Sequence, residues 1–232
     1  MKERELFHLS HPQKRIWYIE KINPDQSVHN IGGVVKIKGK VDFTSLSSSI
    51  NFFIETNSGI RHRFIETEGD INQYIKEYQH SSFPLHKFNN DEELDQWVKR
   101  QSSIPFNLYD SDLYEFHIFT LKDSGESGYF IKVHHIVSDG WSMNIMTKDI
   151  AEHYVNLTNN VTVSPPNRTE YNCFLEKEKE YISSKLFFRN KKFWNNKFTP
   201  LPDRNEKIEL SSAEGKRRSY ELSYNQSEKI KR

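Results

Sequence analysis

The segment KVHHIVSDGWSMNIM, residues 132–146, concentrates side chains that can move a proton or stabilise charge. His134 and His135 are adjacent, Asp139 lies four residues after His135, and Gly140 follows directly. An imidazole titrates near neutral pH, so it can take a proton from a substrate and return it. These residue types are capable of acid–base chemistry, although a single histidine is more often structural.

The flanking pattern predicts how this group is positioned. Gly128–Val133 is an apolar run typical of a strand, and a helix is predicted from Trp141 to about Leu157. Adjacent residues on a strand point to opposite faces, so only one of the two histidines can face a cleft. The other must face the sheet or the core.

Other chemistries find less support in the sequence. No HExxH or CxxC spacing accompanies the histidine pair, so no metal site is predicted. No GxSxG segment is present, which argues against a serine hydrolase. Cys173 is the only cysteine, so an intramolecular disulfide is excluded.

Charge and composition exclude further classes of function. The 232 residues carry 33 Lys and Arg against 32 Asp and Glu, which gives no basic footprint for nucleic acid. No apolar run approaches the roughly 18 residues that cross a bilayer, and the charged N-terminus lacks the apolar core of a secretory signal. We predict a cytoplasmic protein with neither nucleic-acid nor membrane partners.

The order of segments predicts an α/β (α+β) fold, with a mixed, mostly antiparallel sheet flanked by helices. The loop KDSGESG joins two strong strands and indicates a hairpin. The predicted helices are 10–21, 42–54, 91–101, 141–157 and one long or interrupted helix at 169–198; the predicted strands are 31–40, 60–67, 71–78, 113–121, 128–135 and 217–224.

The string His-His-x-x-x-Asp-Gly resembles the core motif of nonribosomal peptide synthetase condensation domains, which belong with the chloramphenicol-acetyltransferase-like acyltransferases. Residues 9–21 resemble the first motif of that family through Gln13, Arg15 and Trp17. Ile60 and Arg61 match the end of the second motif. YNCFLEKE, beginning at residue 171, is a weaker match, and together the matches span residues 9–198.

The chain departs from the family pattern at four positions. Pro12 stands where alanine is usual, and Thr56 and Asn57 replace the arginine and histidine of the second motif. Cys173 occupies the position of an aspartate.

Four segments are most similar to the starter condensation domains of surfactin-type lipopeptide synthetases: IWYIEKINP, GIRHRFIE, VHHIVSDGWSMNI and FWNNKF. That resemblance implies an acyltransferase that N-acylates an aminoacyl thioester with a fatty acyl group. The implied substrates are an acyl-CoA donor and a phosphopantetheine-bearing peptidyl carrier protein, beside an adenylation domain of the same synthetase. No directly bound cofactor is implied.

The resemblance also implies roles for single residues. His135 faces the reaction channel as a general base or as a positioning group, and His134 orients or packs. Asp139 is expected to pair with Arg61, and Gly140 either donates its N–H to an oxyanion or serves a turn with positive φ. Ser138 and Trp141 are expected beside the channel mouth.

In this family the active site lies between two lobes, and the resemblance implies how this chain divides between them. Residues 1–198 are expected to form the N-terminal lobe, and residues 199–232 the crossing linker and the start of the C-terminal lobe. We expect the isolated lobe to be weakly active or inactive. An ordinary peptide-bond-forming condensation domain, an epimerisation domain and a non-catalytic carrier-protein docking module remain alternatives.

Overall fold

The computed structural model describes residues 4–67, 69–162, 164–166, 168–201 and 220–230. The chain divides into two compact units, Met1–Ser184 and Lys185–Arg232. Within the described residues, none of the helices is long and apolar enough to cross a membrane. The predicted division after residue 198 stays a prediction, because compactness does not define the lobes of a larger domain.

Among its described residues, the first unit contains two sheets that share no strand. A four-stranded sheet has the order β2-β7-β6-β5, in which only the β5–β6 pair is parallel, and a three-stranded antiparallel sheet has the order β1-β4-β3. The strands are β1 (Phe7–His8), β2 (Asn30–Ile37), β3 (His62–Thr67), β4 (Asp70–Ile75), β5 (Leu85–Phe88), β6 (Tyr114–Leu121) and β7 (Ser127–His134).

Helix starts follow their capping residues. Ser10 accepts from the N–H of Gln13 in a capping box, and Asp42 accepts from the N–H groups of Thr44 and Ser45. The helices are α1 (His11–Ile22), α2 (Phe43–Thr56), α3 (Asp91–Ser102), α4 (Gly140–Thr158) and α5 (Tyr171–Ile182) in the first unit, with α6 (Lys185–Lys197) and α7 (Tyr224–Ile230) in the second.

Strand β7 is buried along its whole length because helices cover both faces of its sheet. On one face, α2 and α4 pack against β6 and β7 through a cluster that includes Leu46, Ile50 and Met146. On the other face, Leu94 of α3 packs against Phe119 and Leu121 of β6. Burial on both faces explains why β7 is apolar from Gly128 to Val133 at every position except Lys132.

The predicted α/β class and mostly antiparallel sheet are confirmed, with local corrections. The edge strand β5 was not predicted, since its four residues carry no clear alternation. The strand predicted from Ile60 begins as a 3₁₀ helix, Ser58–Arg61. The long helix is interrupted at Ser183 and Ser184. Of the strand predicted over 217–224, residues 220–223 are not extended strand, Tyr224 begins α7, and 217–219 lie outside the described residues.

Gly128 provides a test of how tightly β7 is packed. A Cβ atom at this position would overlap the backbone carbonyl of Val35 in β2 and lie 3.0 Å from Phe119 Cζ. We expect Gly128→Ala to lower the free energy of unfolding by about 3 kcal/mol, since backbone atoms cannot move aside without separating the strands. Urea unfolding followed by circular dichroism measures this.

Gly33 is the matched control, because it lies in the neighbouring strand β2 and a Cβ there would contact nothing within 4 Å. Gly33→Ala should leave stability nearly unchanged. Equal losses in the two variants would show that close packing at Gly128 is not the cause.

Candidate active site

The two histidines leave the end of β7 in different environments. The His134 N–H donates to the carbonyl of Leu113 at 2.9 Å, and the His135 N–H donates to the carbonyl of His29 at 2.8 Å. His134 is buried, at 3% exposed, whereas His135 is exposed. The prediction that only one histidine faces a cleft agrees with this arrangement.

His135 lines a cavity of about 430 Å³ and keeps one ring nitrogen able to accept a hydrogen bond. Its Nδ1 lies 2.9 Å from the carbonyl oxygen of Ser138. Since a carbonyl can only accept, Nδ1 carries the proton of the neutral ring and Nε2 keeps its lone pair. Such a nitrogen can take a proton from a substrate. Residues lining this cavity include Gln13, Gly59, His62, Ser138, Ser142 and Tyr171.

A second cavity of about 390 Å³ is also lined by Val137 and Ser138, in the loop that precedes α4. Both cavities are lined by Gly59, Val137, Ser138, Ser142 and Tyr171. Ser138 lines both cavities, and its predicted place beside a channel mouth stays a prediction. Trp141 is 74% exposed and borders neither cavity, so nothing in this structure places it at a channel mouth.

His134 is held by a hydrogen-bonded group that the sequence did not reveal. Its Nε2 lies 3.4 Å from Glu20 Oε1, and the same oxygen lies 2.5 Å from His29 Nδ1. Its Nδ1 accepts from the N–H of Ile136 at 3.2 Å. Burial lowers the pKa of His134 to about 4, against the opposing effect of Glu20, so the ring is neutral near pH 7.

The donor atoms of Glu20, His29 and His134 all lie within 4.8 Å of one another, a spacing that a metal ion could bridge. The tautomer of His134 argues against that use. Its Nδ1 is an acceptor, so the neutral ring carries its proton on Nε2, the atom that a metal would need. This group fits a carboxylate that accepts hydrogen bonds from two imidazoles.

The predicted ion pair between Asp139 and Arg61 is wrong for the described structure. Asp139 is the N-cap of α4, and its Oδ1 accepts from the N–H and the hydroxyl of Ser142 at 2.8 and 2.7 Å. Arg61 donates instead to the backbone carbonyls of Ile54, Glu55 and Lys76. Helix ends leave backbone groups that need partners, and both side chains meet that need locally.

Gly140 is the first residue of α4, and its predicted positive φ is wrong, because its backbone is not among those with positive φ. A Cβ at this position would meet nothing within 4 Å, so packing does not require a glycine here. Its N–H belongs to the first turn, whose donors have no partner within the helix. The predicted oxyanion contact stays a prediction.

Other cavity residues were not predicted from the sequence. The side chains of Gln13 and Gln73 are hydrogen bonded to each other at 2.9–3.0 Å, and Gln13 also donates to the carbonyl of Ile136, close to the histidines. Tyr171 donates its hydroxyl to Ser10 at 2.8 Å. Gln13 and Tyr171 were noticed only as motif matches, and His62 carried no signal of its own.

Asp139 gives a stability test that separates helix capping from an ion pair. Loss of an N-cap costs about 1 kcal/mol, whereas a broken buried ion pair costs about 3–5 kcal/mol. We expect Asp139→Ala to lower the free energy of unfolding by about 1 kcal/mol and Asp139→Asn, which still caps, to be nearly neutral. A large loss in both variants, measured by urea unfolding, would support the ion pair instead.

The buried imidazole of His134 predicts a pH dependence. Its folded pKa is below the ordinary value of 6.5, so its contribution to stability is complete above about pH 6.5 and is lost as pH falls toward 4. The loss approaches roughly 3 kcal/mol on full protonation. His134→Gln should flatten this part of the curve of unfolding free energy against pH. Parallel curves for parent and variant would contradict the assignment.

Comparison with solved structures identifies the fold. The starter condensation domain of the rhizomide synthetase RzmA superposes with a TM-score of 0.77 at 19% identity, covering 86% of this chain and 49% of that one. The first condensation domain of the calcium-dependent antibiotic synthetase, in complex with a substrate analogue, gives 0.77 at 22% identity, covering 86% and 49%. The predicted chloramphenicol-acetyltransferase-like fold is confirmed.

Sequence comparison agrees with the fold. A plipastatin synthase of Bacillus subtilis is 33% identical over 195 residues, covering 83% of this chain and 8% of that protein. A surfactin synthase of the same organism is 33% identical over 208 residues, covering 87% and 6%. The family model of the Condensation domain matches residues 3–232. The chain therefore belongs to the condensation-domain family of nonribosomal peptide synthetases.

Proposed function

We propose that this chain carries the histidine-bearing lobe of a starter condensation domain, which joins a fatty acyl group to the amine of an aminoacyl carrier protein. The observation that carries the proposal is the accepting Nε2 of His135, whose ring is held by the Ser138 carbonyl at the wall of a cavity. Amide formation from an amine needs such a proton acceptor.

The reaction can be written with atoms and charges balanced. The amine nitrogen attacks the carbonyl carbon of the acyl thioester, a C–N bond forms, and the C–S bond breaks. His135 Nε2 takes a proton from the attacking nitrogen and passes it to the departing thiolate. The Gly140 N–H donates to the oxyanion, where a positioned donor stabilises the developing charge. His134 and Asp139 position the loop that bears these groups.

Related sequences and structurally similar solved domains support the proposed substrates. The chain is similar to a plipastatin synthase and to a surfactin synthase, and one RzmA starter domain was solved in complex with C8-CoA and another with C8-CoA and Leu-SNAC. The proposed donor is thus an acyl-CoA, and the proposed partners are a peptidyl carrier protein and an adenylation domain of one synthetase. A cytoplasmic location stays a prediction.

The chain matches only part of the length of its relatives, and this affects the activity expected of it. The chain spans about half of the matched solved chains and at most 8% of the two matched Bacillus subtilis synthases. We propose that residues 1–198 are the N-terminal lobe and 199–232 the crossing linker with the start of the C-terminal lobe. Because the family site needs both lobes, the isolated 232 residues should be weakly active or inactive.

An ordinary peptide-bond-forming condensation domain is the second candidate. A linear gramicidin synthase of Brevibacillus parabrevis is 25% identical over 225 residues, which is a longer aligned stretch than either Bacillus subtilis relative gives. The two candidates share the acceptor and differ in the donor. A starter domain takes an acyl-CoA, whereas an ordinary domain takes a peptidyl or aminoacyl group from an upstream carrier.

An acylation assay tests the proposal. The chain, alone and extended by the C-terminal half found in its relatives, receives an acyl-CoA series and an aminoacyl-loaded carrier, and mass spectrometry reads the product. We expect the extended chain to acylate the carrier and His135→Ala to lower kcat by roughly 10²–10⁴-fold. His80→Ala is the matched control, because His80 is exposed and borders neither cavity.

The other outcomes identify the alternatives. Product only from a carrier-bound donor would mean an ordinary condensation domain. Inversion of the aminoacyl α-carbon without acylation would mean an epimerisation domain. Carrier binding without any histidine-dependent reaction would mean a docking module. Equal turnover by the isolated chain and the extended chain would contradict the proposed need for two lobes.

A further inference from the structure

A second histidine, His62, belongs to the wall of the cavity that contains His135, and the acid–base steps proposed for amide formation do not use it. It is the first residue of β3, directly after the 3₁₀ helix, and it is 1% exposed. Its ring packs edge-on against Tyr171, with 5.3 Å between ring centroids. Burial and this contact hold the ring in one orientation.

The hydrogen bonds of His62 leave one nitrogen available. Nδ1 lies 3.0 Å from the carbonyl oxygen of Gly59, so Nδ1 carries the proton and Nε2 is an acceptor. Burial lowers the pKa of His62, which keeps the ring neutral near pH 7. Nε2 is buried and has no hydrogen-bond partner among the described residues.

The hydroxyl oxygen of Ser138 resembles His62 Nε2 in its burial and in its lack of a hydrogen-bond partner. It is buried, it lacks a partner within the described part of the chain, and Ser138 lines the same cavity. Buried polar atoms in folded proteins are nearly always hydrogen bonded, and each unpaired atom has a cost in stability. Two residues that line one cavity thus each carry an unpaired buried polar atom, which points to a polar subsite that a bound molecule completes.

We propose that His62 is a substrate-binding residue whose Nε2 accepts a hydrogen bond from an N–H of the aminoacyl acceptor. The inference rests on the proposed function, which supplies an acceptor carried on a pantetheine arm. Two of its groups have the required N–H, the α-amine of the amino acid and the amides of the arm. The fatty acyl chain has no N–H, and the pantetheine amides occur in an acyl-CoA donor as well. The α-amine is found only in the acceptor, so the proposal assigns His62 to the acceptor.

Two substitutions separate this role from a structural one. His62→Asn keeps a donor near Nδ1 but loses the acceptor, whereas His62→Gln places an amide group near Nε2. Both remove the ring contact with Tyr171, so a purely structural role affects both alike. In the acylation assay with the extended chain, we expect His62→Asn to raise the acceptor KM roughly threefold to tenfold with little change in kcat. His62→Gln should recover most of that loss.

Nitrogen NMR on the 232-residue chain gives a readout that does not depend on turnover. N-acetylcysteamine supplies an amide N–H without an amine, and leucine ethyl ester supplies an amine without an amide. A shift of the His62 Nε2 resonance with one probe assigns the donor to the amide or to the amine. The resonance is identified by its absence from His62→Asn.

The possible results distinguish a failure of this inference from a failure of the proposed function. An Nε2 shift without acyl transfer in any assay would refute the proposed reaction and leave the hydrogen-bonding role of His62 standing. Histidine-dependent transfer with an unchanged acceptor KM in His62→Asn, and no Nε2 shift with either probe, would overturn the role of His62 alone.

Discussion

The rest of the site depends on the burial of β7 on both faces. Helices α2 and α4 cover one face of its sheet and α3 covers the other, so the strand has no freedom to shift without breaking two sets of packing contacts. Gly128 allows β2 to approach at close range. The strand end, where His134 and His135 emerge, is therefore fixed by packing along the whole sheet.

The same burial forces the polar groups of β7 to find partners. Lys132 is fully buried, and its ammonium group lies 3.1 Å from Glu115 Oε2 and donates to the carbonyls of Gln101 and Ile104. His134 meets the requirement through Glu20 and Ile136. An unpaired charge at either position would cost several kcal/mol. His135 lies beyond the covered region, which leaves its ring open to the cavity.

Polar side chains around the cavity differ in how completely they are paired. The Gln13 amide and the Tyr171 hydroxyl are engaged within the protein, so they shape the wall. His135 Nε2, His62 Nε2 and the Ser138 hydroxyl keep capacity for a further hydrogen bond. Paired groups give rigidity, and unpaired groups can bind a ligand; the proposed amide formation would use both.

The sequence by itself determined the features that depend only on residues close to one another in the chain. The apolar run before His134, the caps at Ser10 and Asp42, and the spacing from His135 to Asp139 depend on neighbours a few residues away, and they identified the α/β class and the family. Only the tertiary structure decided which distant residues meet. Glu20 and His29 reach His134, and Arg61 turns to backbone carbonyls rather than Asp139. Such contacts depend on how whole elements pack, which local patterns do not encode.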